Sequence, residues 1–212
     1  ISIINKNEKL ITKRLKKNKI PGKILKLNLN SKIHFTNKIT NSYFYNLSNL
    51  DNLTFAFSIA KIFKIKTKLI LNAVNSFKAL PYRQEVLFNN QKLTIINDSK
   101  STSFSSSISL LKSYKNIYWI LGGLAKEGDK FELPKKYFKN IKAYIYGKNN
   151  LVFQEKLKNK IEFKKFNNIK EALISILKDA KKSKDKKTII FSPVAASFDQ
   201  FENFEKRGSY FN

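Results

Sequence analysis

The chain has 212 residues, of which 42 % are hydrophobic and 13 % aromatic, and its 42 lysines and arginines against 15 acidic residues give a formal charge of +27. This composition excludes a disordered tail and leaves room for one large domain or two smaller ones. No apolar run approaches the roughly 18 residues of a membrane span; with no cysteine and no secretory signal, a cytoplasmic location is expected.

In chain order, Ile1 to Ile4 reads as a strand and Glu8 to Lys17 as a short basic helix. Lys23 to Leu27 and Lys32 to Phe35 read as short strands, with Pro21-Gly22 turning ahead of them. His34, the single histidine, lies in the second of these and is read as structural. Leu53, Phe57, Ala60 and Ile62-Phe63 recur at helical spacing, so Asn49 to Phe63 is expected to be an amphipathic helix. A further helix, Thr67 to Lys78, stops before Pro81. A domain boundary is placed near Leu80, giving segments 1–79 and 80–212. Beyond it, Glu85 to Phe88 and Lys92 to Ile96 form a hairpin around Asn89-Asn90. Helices and strands then alternate: Ser103 to Lys115, Ile117 to Leu121, Ala143 to Tyr146, Asn150 to Lys158, Ile161 to Phe163, Ile169 to Lys181, Thr188 to Phe191 and Asp199 to Tyr210. Such alternation predicts an α/β fold with a mainly parallel sheet covered on both faces. The lysine-rich run Lys181 to Lys187 reads as a solvated loop.

Ligands of parallel sheets bind beyond the C-terminal strand ends. Three unusual loops sit there: Asn97 to Ser103, Gly122 to Gly128, and Ser192 to Gln200. The first gathers a carboxylate, an ammonium and hydroxyls; it is equally a solvated turn in which Asp98 and Lys100 form a surface ion pair. The second pairs Gly122-Gly123 with Lys126, which could neutralise a carboxylate or phosphate, but it is no nucleotide P-loop. In the third, Ser197 with Gln200 has the spacing of a capping box. That would leave the Phe198 and Asp199 amides as an anion site, or simply cap a helix. Arginine occurs only at Arg14, Arg83 and Arg207. Arg83, near the boundary, suits either a bidentate phosphate contact or a structural ion pair.

Together, Asn97-Asp98-Ser99-Lys100-Ser101-Thr102, Gly122-Gly123-x-x-Lys126 and Ser192-Pro-x-x-Ala-Ser197-x-Asp-Gln-Phe-x-x-Phe204-Glu-x-Arg-Gly208 closely resemble the D-glutamate-adding branch of the Mur ligase family. The last motif is long and specific, and the resemblance covers essentially the whole chain. It implies that 1–79 is the end of a central ATPase domain and 80–212 a Rossmann-like C-terminal domain. It also implies an ATP-dependent ligase that adds D-glutamate to UDP-N-acetylmuramoyl-L-alanine through an acyl phosphate, for peptidoglycan. Position by position, Asn52, Arg83, Asp98 and Lys100 resemble ATP-contacting residues. Thr102, Lys126, Ser197, the Phe198 backbone and Phe204 resemble the D-glutamate pocket.

Tyr82 departs from the family's usual histidine, Ser48-Asn49 from a His-Asn pair, and Ser101 from an alanine. No methionine occurs, even at position 1, so Ile1 is expected to be internal to a longer protein. The resemblance puts the phosphate loop, the magnesium ligands and the UDP-binding domain upstream of Ile1. The present chain is therefore expected to be catalytically inactive alone, with no metal site of its own, and monomeric. Two alternatives stand beside this reading. One is a related ligase of the folylpolyglutamate type. The other is a non-catalytic basic module binding nucleic acid, against which the near-absence of arginine and of a dense basic stripe argues.

Overall fold

The computed structural model describes residues 1–18, 21–29, 36–148, 150–181 and 183–212, and the chain divides into two units, Ile1–Phe77 and Lys78–Asn212. The expected strand Lys32 to Phe35, with His34, lies outside the described residues.

The first unit opens with strand β1 (Ser2–Asn5), helix α1 (Lys9–Lys17) and strand β2 (Ile24–Leu27), the strands pairing in parallel. Two 3-10 turns, Thr36–Lys38 and Ser42–Tyr45, lead to helices α2 (Leu47–Ile62) and α3 (Thr67–Ser76). Asparagines fasten this part. Asn46 caps α2 by accepting from the Asn49 amide at 2.9 Å, and Asn41 donates to the carbonyls of Val74 and Phe77 at the end of α3. Ile39, Leu53, Ile70 and Val74 make the small core. The amphipathic expectation for α2 is corrected only for its outer face: its buried positions are Asn49, Leu53 and Thr54, while Leu47, Ile59 and Ile62 and the following Phe63 are exposed. The expected stripe does meet the core, Leu53 within it and Leu50, Phe57 and Ala60 packed against it, but the exposed apolar residues mean that the opposite face is not a polar one. Tyr43, Phe44, Leu53, Phe57, Val74 and Phe77 help line an apolar groove of about 450 Å³.

In the second unit a hairpin, β3 (Glu85–Asn89) and β4 (Leu93–Asn97), precedes helix α4 (Phe104–Ser113). There follow β5 (Ile117–Gly122), the two-residue β6 (Leu124–Ala125), β7 (Ile141–Tyr146), helix α5 (Leu151–Leu157), β8 (Glu162–Phe166) and helix α6 (Ile169–Lys181). The chain ends with β9 (Lys187–Phe191), the two-residue β10 (Ala195–Ala196) and helix α7 (Phe204–Phe211). The six-stranded sheet has the order β3-β4-β9-β5-β7-β8, antiparallel only between β3 and β4. The lysine run ends α6 and starts β9, with the loop between them.

Alternation along the strands decides which helices cover which face. Trp119, Leu121, Ala143, Ile145 and Ile190 point to one side, packing with Phe104, Leu110 and Leu111 of α4 and Phe153 and Leu157 of α5. Ile120, Tyr144, Tyr146, Ile189 and Phe191 point to the other, against Ile169, Ala172 and Ile176 of α6 and Phe211 of α7. Each sheet face is therefore apolar, as a parallel sheet requires. The strands' C-terminal ends, at Asn97, Gly122, Tyr146 and Phe191, fall along one edge.

Candidate functional site

The loop after β4 is tied down at both ends. Its Asp98 amide donates to the Phe191 carbonyl at 2.7 Å, and the Ser101 amide to the Asp98 carbonyl at 2.9 Å. Asn97 donates to the Gly208 carbonyl at 2.9 Å and to Asn212 Oδ1 at 2.6 Å. Arg207 of α7 reaches into the same loop, Nη2 donating to the Ser99 carbonyl at 2.7 Å and Nε to Ser99 Oγ at 3.1 Å. Ser99 Oγ in turn donates to the Phe204 carbonyl at 2.8 Å. Arg207 is fully buried, and its Nη1 has no hydrogen-bond partner among the described residues.

Asp98 is buried too. Its carboxylate accepts from Ser192 Oγ at 2.8 Å and the Gln84 amide at 3.2 Å. Burial pushes its carboxyl up to about 7, against the Ser192 hydroxyl, the Gln84 amide and the Arg83 charge, which pull it down. A surface ion pair between Asp98 and Lys100 is thus overturned: desolvation and inward hydrogen bonds claim the aspartate, while Lys100 Nζ lies 3.8 Å from the centre of the Phe204 ring. That is a cation–π geometry.

Arg83 is exposed, on a backbone bent by Tyr82 (φ 62°) and Gln84 (φ 52°), both in the left-handed region. Non-glycine residues pay for that conformation unless neighbours hold them there. Here the Tyr82 amide donates to Glu85 Oε2 at 2.9 Å, its carbonyl accepts from the Lys100 amide at 3.0 Å, and its ring covers Gly208, where a Cβ would collide with it. The bend carries Arg83 next to the Asp98 loop.

At the end of β5, Gly122 (φ 153°) and Gly123 (φ 121°) turn the chain where no side chain fits; a Cβ would strike the Tyr146 carbonyl at the first and the Ala196 carbonyl at the second. The turn lets β6 pair with β10, Ala125 opposite Ala195 and Leu124 opposite Ala196. Lys126 follows on the exposed side. With Ser103, Ser105, Glu127, Gly128, Asp129, Lys130 and Glu132 it lines a polar cavity of about 340 Å³. Asp129 caps α4 there, accepting from the Phe104 amide at 2.6 Å.

The helix expected from Asp199 begins later. Ser197 is followed by a single turn, its carbonyl accepting from the Gln200 and Phe201 amides at 3.1 and 2.9 Å. Gln200 does not reach back; its Nε2 points to the Asn167 carbonyl at 3.4 Å. Helix α7 starts at Phe204, capped by Asn203 Oδ1 accepting from the Lys206 amide at 2.7 Å. The expected capping box at Ser197 and the helix-end anion site at Phe198 and Asp199 are therefore corrected. Asparagine caps at least as well as serine, and Phe201, packed on the sheet core and 5.4 Å from the Tyr210 ring, sets the chain's direction before the helix. Val194, β-branched with φ 53°, marks the same loop as strained.

Of the ATP-side candidates, Arg83, Asp98 and Lys100 sit at this edge, whereas Asn52 is exposed on α2 in the first unit, at the apolar groove. Of the D-glutamate-side candidates, Thr102 and Lys126 are exposed, Ser197 is buried, Phe198 is 71 % exposed, and Phe204 starts α7 under Lys100. Sequence reasoning did not find the roles of Tyr82, Ser99, Ser107, Ser192 and Arg207. The serine-rich run from Ser99 to Ser107 and the rare arginine were the available signals. Among the described residues no cluster of three or more His, Cys, Asp or Glu could hold a metal ion, and no helix is long and apolar enough to cross a membrane.

No family model matches the chain. Among curated proteins it is similar to the UDP-N-acetylmuramoylalanine--D-glutamate ligase of Wolbachia sp. subsp. Brugia malayi, 38 % identical over 164 residues, covering 77 % of this chain and 33 % of that one. The protein of the same name from Rickettsia felis is 37 % identical over 165 residues, covering 77 % and 36 %. Among solved structures, MurF from Acinetobacter baumannii superposes with a TM-score of 0.54 at 14 % identity, covering 77 % of this chain and 38 % of that one. The chain thus spans about a third of the length of the curated relatives it matches.

Proposed function

We propose, from the premise that this chain belongs to the Mur ligase family, that it supplies the amino-acid pocket and one wall of the ATP site of a D-glutamate-adding ligase. The observation that carries this reading is the convergence of three motif loops on one sheet edge. The Asp98 loop is bonded to Phe191 and Ser192, and the Gly122-Gly123 turn is paired to the Ser197 loop.

The reaction requires three things. ATP phosphorylates the alanine carboxylate of UDP-N-acetylmuramoyl-L-alanine, the D-glutamate amine attacks the acyl phosphate, and the tetrahedral species expels phosphate. In this proposal residues 1–79 close a central ATP-binding domain and residues 80–212 form the acceptor domain. Arg83 and Lys100 supply positive charge on the ATP side, with Asp98 beside them; Asn52, the remaining ATP-side candidate, belongs to the first unit. Thr102, Lys126, Ser197, the Phe198 backbone and Phe204 receive D-glutamate. A dicarboxylate needs a cation and several donors from neighbouring loops, and those residues offer an ammonium, two hydroxyls and a backbone amide. Magnesium, which the family uses with ATP, is assigned no ligand among the described residues.

The test is binding of glutamate enantiomers to the chain, followed by calorimetry or by shifts of loop amide resonances. Binding that favours D over L and disappears in Lys126→Ala is expected. Equal binding of both enantiomers would sink the pocket assignment. DNA binding that survives physiological salt would instead put the nucleic-acid reading first.

A further inference from the structure

A row of buried hydroxyls runs beneath the site. Ser107, fully buried on the second turn of α4, has its Oγ 2.7 Å from Ser101 Oγ and in hydrogen-bond contact with Ser192 Oγ. Ser192 Oγ donates to Asp98 Oδ2 at 2.8 Å, and the Ser192 carbonyl accepts from Trp119 Nε1 at 2.8 Å. Ser101 is also 2.7 Å from Ser106 Oγ, which donates to the Ser103 carbonyl at 2.6 Å. The row thus crosses from the Asn97–Ser103 loop, through the helix, to the loop leaving β9.

Each hydroxyl has one proton to give. With the Asp98 carboxylate accepting from Ser192, Ser192 must accept from Ser107, and Ser107 from Ser101. Ser107 is the one member that belongs to neither loop and touches both. We propose that Ser107 is a positioning residue, holding the loop of Asp98, Lys100 and Thr102 in register with the loop of Ser192, Ser197 and Phe198. What those loops bind rests on the function proposed above; the coupling itself does not. Its Oγ is the sole atom of α4 that this row uses to bridge them, so the two loops loosen together when it is lost. An alanine there leaves Ser192 its bond to Asp98 and frees the Ser101 proton for Ser106 Oγ, 2.7 Å away. No buried donor is orphaned, and the fold survives.

Amide hydrogen exchange on the 212-residue chain tests the coupling, comparing wild type with Ser107→Ala and Ser107→Thr. In the alanine variant, exchange at Asp98 and Ser101 and at Ser192 and Gly122 should quicken together by about fivefold, the effect of one lost internal hydrogen bond. Amides of β7 should keep their rates, and threonine, which retains the hydroxyl, should restore both loops. Quickening confined to one loop, or uniform across the unit, overturns the proposal. In the full-length protein the alanine variant should raise KM for D-glutamate about fivefold with kcat within about twofold, again rescued by threonine. A fall in kcat with KM unmoved would mean a merely structural serine and overturn substrate positioning. A wild-type protein that turns over no D-glutamate would sink the proposed function, while the exchange experiment would still decide the coupling.

Discussion

Replacing Asp98 by asparagine should make the second unit more stable above neutral pH, by an amount that grows with pH. The asparagine copies the neutral acid: its Oδ1 can accept from the Gln84 amide, and its amide group can donate to Ser192 Oγ, the two partners of the native carboxylate. What it removes is the charge. The folded carboxyl titrates at about 7 against a reference of 3.8, chiefly because burial desolvates it. The unfolded chain therefore binds fewer protons between those values, and stability must fall as pH rises through that window. The native contribution is fully present below pH 3.8 and lost above about pH 7. A shift of that size corresponds to about 4 kcal/mol at 1.36 kcal/mol per pH unit. Urea unfolding followed by Trp119 fluorescence measures it cleanly, because Trp119 is the only tryptophan and is buried in the second unit. The gap between variant and wild type should be near zero at pH 4 and approach about 4 kcal/mol at pH 8. A gap that stays flat, or has the opposite slope, would refute the claim that Asp98 is held in a desolvated site.

Three other changes test separate parts of the framework. Gly208→Ala should destabilise the second unit by about 1–2 kcal/mol despite alanine's better helix propensity, because its Cβ meets the Tyr82 ring; adding Tyr82→Ala should recover most of that loss in the same urea assay. Asn203→Ala should cost about 1 kcal/mol through the lost cap of α7, whereas Gln200→Ala should leave helix content by circular dichroism unchanged. Asp179, held down to about 2 first by the Tyr144 hydroxyl and then by Lys164 and Lys142, should stabilise above the ordinary carboxylate range and cease to do so as pH falls through 2. Asp179→Asn should therefore lower the unfolding midpoint at pH 7 and have no effect below pH 2.

The sheet was legible because most of its strands are short runs rich in isoleucine and aromatic residues, each ending at or just before an asparagine, glycine or serine, and each was expected within a few residues of where it lies. Once the strands are parallel, the position of the three loops at one edge follows from chain direction alone. The second unit's first residue, Lys78, falls two residues before the boundary read from the sequence. What stayed hidden depends on partners distant in sequence. The clamp of Arg207 on Ser99 joins residues 108 apart, and no local pattern distinguishes Ser107, which is buried, from exposed Ser105 and Ser106. The start of α7 was misread because Ser197 and Asn203 both offer acceptable caps, and the choice was made by packing of Phe201. The core-facing stripe of α2 was legible at Leu53, Phe57 and Ala60, but its outer face is less polar than expected because the helix carries more apolar residues than its small core can bury.

The pairing of β6 with β10 has a thermal consequence. Two rungs, built from Leu124 and three alanines, are too short to persist by their own hydrogen bonds and offer almost no side-chain grip. The ladder lasts only while the glycine turn beneath it and the strained Val194 turn beside it keep their shapes. On warming it should fray first, with Leu124 and Ala196 exchanging their amides while the six-stranded sheet is still intact. The rim of the candidate site is thus a dependent piece of architecture, whose lifetime is set by the turns that carry it.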